Sequence, residues 1–352
     1  MTGEATEVPL VRVDGVSKRF RRGTDFAERL AVRLGAAAPP PVVHALDEVS
    51  LEVRRGEVVG LAGESGCGKS TLGRVMAGLL APTEGRVSHA GHDLASLAGD
   101  DARRARLAAQ IVFQDPMSSL NPRRRVRDII GEAPRVHGLV RRGDVAPRVA
   151  GLLETVGLDP AMADRFPHQF SGGQRQRIGI ARALAVEPEF LICDESIAAL
   201  DVSIQAQVLN LLMCLRTDLG LTLLFISHDL SVVRHISDRV VIMYLGRVVE
   251  SASTEDLFDA ANHPYTLALL AQIPSLDRRR HHFAAIEGEI PSPVNPPPGC
   301  HFHPRCPRAF ARCRTERPVL RSIAPGHDSA CHLNDASAEA ARAVPTSTGD
   351  PT

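Results

Sequence analysis

A glycine-rich segment between a short apolar run and a helical pattern is the most restrictive feature of this sequence. The apolar run Val58–Ala62 has the length of a buried parallel strand, and Gly63–Ser70 matches the pattern Gly-x-x-x-x-Gly-Lys-Ser. A helix is predicted from about Lys69 to Leu79. Strand, glycine turn and helix in this order open a parallel α/β unit with a phosphate-binding loop (P-loop). A glycine turn without nucleotide is the weaker interpretation in this context.

The loop residues share the work of holding a nucleotide. Glycines turn backbone amides toward phosphate, and the helix start adds partial positive charge. Lys69 reaches the β- and γ-oxygens, Ser70 can bind Mg²⁺, and Cys67 needs no redox role. ATP and Mg²⁺ are therefore the expected cofactors. The predicted ATP-binding residues of the loop are Gly63, Ser65, Gly66, Cys67, Gly68, Lys69, Ser70 and Thr71.

Composition limits the classes of function. The 352 residues are 44% hydrophobic, enough for one sizeable core and a small appended domain. The formal net charge is zero, so nucleic acid is not expected as a partner. We find no secretory signal and no run of about eighteen apolar residues, the minimum for a membrane span. The chain is therefore expected to stay in the cytosol.

Apolar periodicity predicts the strands of a core domain. Two alternating runs near Val11–Val16 and Val49–Val53 indicate strand, loop, strand, with an Arg-, Ala- and Pro-rich insertion between them. Further buried strands are predicted at Phe190–Cys193 and Leu221–Ile226, and a terminal hairpin at Arg239–Val249. The composition then changes to Pro, His, Arg and Cys, which marks the end of the core.

Helical patterns lie mostly between these strands. They are centred on Asp101–Ala109, Val149–Val156 and Gln174–Ala185, and we place a helical subdomain at about 95–170. The predicted domains are a flexible N-terminus at 1–9, the core at 10–258, a C-terminal domain at 259–335 and a disordered tail at 336–352.

Two adjacent carboxylates follow the strand predicted at Phe190–Cys193. The strand delivers Asp194 to the Mg²⁺ ion and Glu195 to the attacking water, a general-base arrangement beside a γ-phosphate. An acidic pair at a strand end is often only a helix N-cap. The presence of the P-loop favours the catalytic interpretation of this pair.

A second anion-binding helix start is predicted at Phe170–Gln174, with the sequence Phe-Ser-Gly-Gly-Gln. Ser171 and the amides of Gly172 and Gly173 can cap an anion. The segment resembles the signature of the ABC ATPase family and of no other P-loop class. The resemblance implies an α/β ABC cassette with a RecA-like core, an N-terminal antiparallel β subdomain and a helical subdomain. It also implies that Ser171, Gly172, Gly173 and Gln174 close on the γ-phosphate held by a partner cassette.

Other positions match the family in order along the chain. By resemblance, Gln114 senses Mg²⁺ and the γ-phosphate, Asp201 crosses the dimer interface, and His228 contacts the γ-phosphate. The predicted catalytic residues are thus Glu195, His228 and Gln114, and the predicted Mg²⁺ ligands are Ser70, Gln114 and Asp194.

Three positions fit the family pattern less tightly. Phe20 matches the aromatic residue that stacks on adenine, and a core Phe is the alternative. Ser196 stands where a Pro usually follows the catalytic Glu, and Ala198 stands where a Ser is common. Neither change removes a phosphate or metal ligand, so we expect an active ATPase with an altered interface geometry or rate.

Further segments narrow the resemblance to the oligopeptide, dipeptide and nickel importer branch. They are Phe113–Pro122, Asp201–Gln207 and His263–Thr266, with Gly288–Pro293 and Gly299–Cys306 characteristic of the branch. The resemblance implies the second ATPase subunit of a peptide importer at the cytoplasmic face of the membrane. Its implied partners are two transmembrane permease subunits, a second ABC ATPase and, indirectly, an extracytoplasmic solute-binding protein.

The alternatives concern the solute and the class of protein. Dipeptide, oligopeptide, nickel chelate and glutathione-like solutes all stay open, as do homodimer and heterodimer. The rival function is a soluble ABC ATPase in translation or DNA maintenance, but such proteins usually carry two cassettes or a long coiled-coil insertion. A small-molecule P-loop kinase would leave the segment Ser171–Gln174 unexplained.

Four of the seven cysteines cluster near the C-terminus, which argues for a metal site rather than disulfides in a reducing compartment. Cys300, Cys306, Cys313 and Cys331 lack the CxxC spacing of zinc ribbons, yet four thiolates can hold an iron–sulfur cluster or Zn²⁺. Resemblance to cluster-bearing importer ATPases favours [4Fe–4S], with Zn²⁺ second and free thiols third. Mixed ligation stays open through His301, His303, His327 and His332.

Overall fold

The strands that the structure describes form two sheets. The computed structural model describes residues 8–21, 33–34, 36, 38, 40–113, 119–196, 201–273 and 288–335. The strands in these ranges are β1 (Val11–Arg21), β2 (Val42–Val53), β3 (Val58–Ala62), β4 (Glu84–His89), β5 (His92–Asp93), β6 (Ala109–Val112), β7 (Phe190–Asp194), β8 (Thr222–Ile226), β9 (Arg239–Tyr244), β10 (Arg247–Ser253), β11 (Arg321–Ala324) and β12 (His327–Ser329). Within the described residues, one sheet has the order β2-β1-β4-β5 and the other β11-β12-β10-β9-β3-β8-β7-β6.

The larger sheet carries the P-loop at its centre. Strands β9, β3, β8, β7 and β6 run parallel in that order, and β10, β12 and β11 continue the sheet antiparallel. Strand β3 is buried on both faces because successive side chains point to opposite sides. Val58 and Ala62 join one hydrophobic cluster, whereas Val59 and Leu61 join the other. This burial explains the uninterrupted apolar run in the sequence.

The helices cover the larger sheet and form a helical region between β6 and β7. The α-helices among the described residues are Lys69–Met76, Gly99–Ala108, Val126–Val136, Val145–Thr155, Gly172–Leu184, Val202–Leu219, Leu230–Ile236, Thr254–Ala260, Pro264–Leu270 and Ala311–Thr315. Short 3₁₀ turns lie at Arg142–Asp144, Pro160–Asp164, Pro167–Gln169, His303–Arg305 and His332–Asn334. No helix in the described part of the chain is long and apolar enough to span a bilayer.

The α/β class with an antiparallel β subdomain is confirmed, but three local predictions need correction. Strands β1 and β2 are longer than predicted, because their antiparallel pairing continues to the partners Arg21 and Val42. The helix predicted to reach Ala109 ends at Ala108, where β6 begins. Strand β6 lies inside the predicted helical subdomain, because Ile111 and Val112 gain burial by pairing with β7. Local propensity is weaker than this tertiary pairing.

A separate C-terminal domain is not confirmed. Strand β12 pairs with β10 and so extends the sheet of the core. Phe302, which is 1% exposed, belongs to the same hydrophobic cluster as Tyr244 and Tyr265, with ring centroids 5.2 Å from each. The domain bounds stay a prediction, and the terminal segments 1–7 and 336–352 lie outside the described residues.

A buried carboxylate fastens the C-terminal region to the core. Glu250 on β10 is fully buried and accepts hydrogen bonds from the backbone N–H groups of Asn262 at 2.6 Å and His263 at 3.0 Å. Its Oε1 atom also lies 2.8 Å from Nε2 of His327 on β12. A buried charge is tolerated only when it is satisfied in this way. Glu250 therefore fixes two C-terminal segments at the edge of β10.

Candidate nucleotide-binding site

The P-loop follows β3 and needs glycine where the backbone passes close to neighbouring chain. Gly63 has φ 145°, and a Cβ atom there would lie 2.2 Å from the carbonyl oxygen of Met243. Gly68 has φ 107°, and a Cβ atom would lie 2.4 Å from the carbonyl oxygen of Ala45. Both positions favour glycine for conformation and for space. The loop is thereby packed against β9 and β2.

Lys69 lies inside the loop. Its side chain is 4% exposed, and its Nζ atom donates to the carbonyl oxygens of Gly63 at 2.7 Å and Glu64 at 3.1 Å. A buried ammonium needs such acceptors, and phosphate oxygens would be stronger ones because they carry charge. The structure thus places the lysine where the sequence pattern predicts a phosphate contact.

Ser70 and Asp194 come together from different elements. Ser70 lies in the first turn of the helix Lys69–Met76, Asp194 ends β7, and the serine Oγ donates to Asp194 Oδ1 at 2.7 Å. Burial raises the pKa of Asp194, while the Ser70 hydrogen bond opposes this shift. A hydroxyl and a carboxylate are oxygen ligands of the kind that Mg²⁺ prefers, so this pair fits the ion. The third predicted ligand, Gln114, lies outside the described residues.

Glu195 and His228 meet at the ends of neighbouring parallel strands. Glu195 follows β7 with φ 46°, and its N–H donates to the carbonyl of Ile226 at 3.0 Å. His228 Nδ1 lies 3.6 Å from Glu195 Oε1, and the two side chains are 53% and 17% exposed respectively. The left-handed backbone turns the glutamate off the strand beside Asp194, a strained conformation of the kind found at functional sites. The predicted catalytic residues Glu195 and His228 are therefore adjacent.

The helix Gly172–Leu184 starts at an exposed cap. Ser171 Oγ accepts from the N–H of Gln174 at 3.3 Å, and Gln174 Oε1 accepts from the N–H of Ser171 at 3.0 Å. This reciprocal capping leaves the positive end of the helix at the surface, where Ser171 and Gly172 are exposed. A Cβ atom on Gly173 would lie 2.4 Å from Cγ2 of Ile204, so the close packing of this helix start favours glycine. The cap is thus available to a second molecule.

Other predicted site residues are exposed or undescribed. Phe20 on β1 is 40% exposed, with Lys18 Nζ 5.3 Å from its ring centre, so the alternative of a core Phe is wrong. Asp201 is exposed at the start of the helix Val202–Leu219, and its side chain makes no cap bond. Ser196 is buried, and Ala198 lies outside the described residues. The functional roles of these residues stay predictions.

Two residues near the P-loop were missed by the sequence analysis. Tyr265 accepts a hydrogen bond from the N–H of Glu64 at 2.9 Å. Arg305 donates to both carboxylate oxygens of Glu64, at 2.7 and 2.9 Å. Both residues stood within family-like segments, Tyr265 in His263–Thr266 and Arg305 in Gly299–Cys306, but no local pattern relates either of them to a loop so distant in sequence.

The four C-terminal cysteines lie near one another without a metal-binding arrangement. The N–H of Cys300 donates to the carbonyl of Cys313 at 2.9 Å. Burial, followed by the charges of the other cysteines, raises the pKa of Cys300 to about 11 and that of Cys331 to about 12. In the described ranges, no group of three His, Cys, Asp or Glu residues could hold a metal ion. The cluster or zinc prediction therefore gains no support from this arrangement.

Known families match two parts of the chain. Residues 46–198 match the family model described as ABC transporter. Residues 249–313 match the model described as oligopeptide/dipeptide transporter, C-terminal region. The first match contains the P-loop, the capped helix and the carboxylates, and the second contains Tyr265 and Arg305.

Relatives and solved structures agree with these matches. The chain is 51% identical over 295 residues to the oligopeptide transport ATP-binding protein AppF of Bacillus subtilis, covering 83% of this chain and 90% of AppF. A structure of cbiO1 from Clostridium perfringens, part of the ABC transporter complex cbiONQ, is similar with a TM-score of 0.59 and 27% identity, covering 72% of this chain and 92% of that one. A structure of a dimeric ATP-binding cassette in a post-hydrolysis state, bound to ADP and Pi, is similar with a TM-score of 0.58 and 28% identity. The similarity covers 69% of this chain and 98% of that one. This chain therefore belongs to the ABC transporter ATPase family, in the branch that carries the oligopeptide/dipeptide transporter C-terminal region.

Proposed function

We propose that this chain is the ATP-hydrolysing subunit of an ABC importer that takes up oligopeptides or dipeptides. The observation that carries the ATPase assignment is the convergence of three elements at one sheet edge. Ser70 and Asp194 are hydrogen-bonded at 2.7 Å, and Glu195 lies beside His228 at the ends of the adjacent strands. The peptide assignment is supported by the C-terminal region and by the name of the relative AppF.

The proposed roles follow from charge and position. The P-loop amides and Lys69 would bind the β- and γ-phosphates, and Ser70, Asp194 and Gln114 would hold Mg²⁺, which neutralises charge developing on the phosphates. Glu195 would accept a proton from the attacking water, and His228 would orient the γ-phosphate. Phe20, being exposed, can stack on adenine.

A second cassette would complete the site. The exposed cap at Ser171 and Gly172 presents the positive end of a helix, which can bind the γ-phosphate of a partner's ATP, and exposed Asp201 would face the same interface. ATP would then favour the closed dimer, because it contacts both chains only in that state. Hydrolysis and product release would reopen it.

Membrane partners are the second half of the proposal. Two permease subunits would be moved by closure of the cassettes at the cytoplasmic face of the membrane. A solute-binding protein on the opposite side would select the peptide. No observation favours the alternative of a soluble ABC ATPase in translation or DNA maintenance.

The importer is tested by purification from native membranes. A tagged Glu195→Gln chain, expected to hold ATP without hydrolysing it, should co-purify with two permease subunits, a second cassette and a solute-binding protein. A tagged Glu189→Gln chain is the matched control, since Glu189 lies at the other end of β7 and is half exposed. Recovery of ribosomal proteins, DNA-associated proteins or no membrane partner would overturn the transport assignment. Peptides released from the binding protein would identify the solute.

We also propose that the four C-terminal cysteines bind a [4Fe–4S] cluster. The proposal is supported by the donor type and by the proximity of cysteines distant in sequence, since the N–H of Cys300 donates to the carbonyl of Cys313 at 2.9 Å. His332 is the least suitable ligand among the nearby histidines, because both of its ring nitrogens have hydrogen-bond partners, in Asp335 and in the carbonyl of Glu316. The side chains would have to turn toward a common centre.

Anaerobic purification tests this cofactor. We expect a broad visible absorption together with iron and acid-labile sulfide, all reduced in a Cys313→Ser variant. Cys214→Ser is the control, because Cys214 is exposed on the helix Val202–Leu219. Stoichiometric zinc without iron would show that the cysteines bind Zn²⁺ and not a cluster. Absence of both metals would leave the thiols free and the proposal wrong.

A further inference from the structure

The P-loop residue Glu64 is held from three directions. Its N–H donates to the hydroxyl of Tyr265 at 2.9 Å, and its carbonyl accepts from Lys69 Nζ at 3.1 Å. Its carboxylate accepts two N–H groups of Arg305, at 2.7 and 2.9 Å. Tyr265 and Arg305 belong to the region beyond the core sheet strands β9 and β10. The C-terminal region therefore contacts the P-loop at Glu64, the second residue of the loop.

Arg305 is shielded from solvent and packed at this contact. Its side chain is only 4% exposed, compared with 22% for Glu64, and its guanidinium lies over the ring of Tyr244 at 5.9 Å. Its backbone N–H donates to the carbonyl of Phe302 at 3.0 Å, and Phe302 is buried in the core. A shielded two-point ion pair is strong and fixes orientation. The arrangement is specific rather than a loose surface contact.

The carboxylate of Glu64 places a negative charge in a loop that is proposed to bind the negative phosphates of ATP. Without a partner it would repel the β- and γ-phosphates. Burial raises the pKa of the Cys67 thiol, Lys69 opposes this shift, and the Glu64 charge adds a smaller increase. Arg305 supplies the positive charge that cancels this field.

We propose that Arg305 is a positioning residue for ATP binding, which neutralises Glu64 and, together with Tyr265, holds the P-loop in its phosphate-binding shape. The inference rests on the proposal that the loop binds MgATP. It makes the C-terminal region a part of the nucleotide site. Residues more than 200 positions from the P-loop then determine the ATP affinity of this chain.

The first test measures MgATP affinity by titration calorimetry on the full chain. Arg305→Gln is expected to raise Kd about tenfold, because the unpaired carboxylate repels phosphate. Adding Glu64→Gln in the same chain should recover most of that affinity, since the repelling charge is then gone. Arg305→Lys keeps the charge and should raise Kd less than Arg305→Gln does. Circular dichroism checks that each variant is folded.

The matched control is another arginine that joins the C-terminal region to the core. Arg317 donates to Glu48 Oε2 at 2.7 Å and to the carbonyl of Asp47 at 3.1 Å, on β2 rather than on the P-loop. Arg317→Gln should leave Kd unchanged. A Kd for Arg305→Gln equal to that of the wild type, or no recovery on adding Glu64→Gln, overturns the inference alone. A wild-type chain that does not bind MgATP overturns the proposed function and the inference with it.

Discussion

Replacing Glu195 by Gln is expected to lower the kcat of ATP hydrolysis about 10³-fold while ATP binding is kept. The amide has the shape of the carboxylate but cannot accept the proton of the attacking water. The backbone turn at φ 46° and the N–H bond to Ile226 do not depend on the side-chain charge. The loss should therefore fall on the chemical step. Single-turnover hydrolysis and equilibrium binding of ATP separate the two effects.

The control for Glu195 is the same substitution at the opposite end of the same strand. Glu189 precedes β7 and forms an exposed ion pair with Arg55. Glu189→Gln should hydrolyse ATP at the wild-type rate, because exposed ion pairs contribute little to stability and this one is remote from the loop. A Glu195→Gln variant with nearly full kcat would exclude Glu195 as the general base.

A Ser171→Arg substitution is expected to lower ATPase activity about 100-fold without reducing ATP binding by the isolated chain. The serine hydroxyl caps the helix Gly172–Leu184 at an exposed end, where a partner's γ-phosphate is proposed to bind. A long side chain would fill that space and remove the cap. Hydrolysis should then lose its dependence on protein concentration, because the closed dimer no longer forms.

Ser253 provides a matched helix cap away from the site. Its Oγ accepts from the N–H of Asp256 at 3.0 Å, in the manner of Ser171 with Gln174. Ser171→Arg and Ser253→Arg should each cost about 1 kcal/mol of stability, the usual effect of losing a serine cap. Only the first should impair hydrolysis. Equal ATPase losses in both variants would mean that Ser171 acts through helix stability and not through a partner's nucleotide.

The motifs were recognisable in the sequence because each is formed within a few residues. The segment Gly63–Ser70 contains its own turn and helix start, and the structure places Lys69 and Ser70 as expected. Capping of Ser171 by Gln174 is equally local. Short-range contacts of this kind depend on spacing alone.

Pairing between distant strands was harder to predict. Strand β6 is four residues long, and its burial comes from β7, which lies far along the chain. Glu250 contacts the segment that extends the sheet, and its partners Asn262 and His327 have no common local pattern. Composition changes beyond residue 258 suggested a separate domain, but composition does not report which edge a segment joins.

By itself, the sequence determined the α/β class, the P-loop, the acidic pair Asp194 and Glu195, and the capped helix at Ser171. Only the tertiary structure decided that Glu195 meets His228, and that Arg305 neutralises Glu64. The physical reason is range: a motif is specified by neighbours along the chain, whereas an ion pair spanning 241 residues is specified by sheet order and core packing. The C-terminal region thereby becomes part of the nucleotide site.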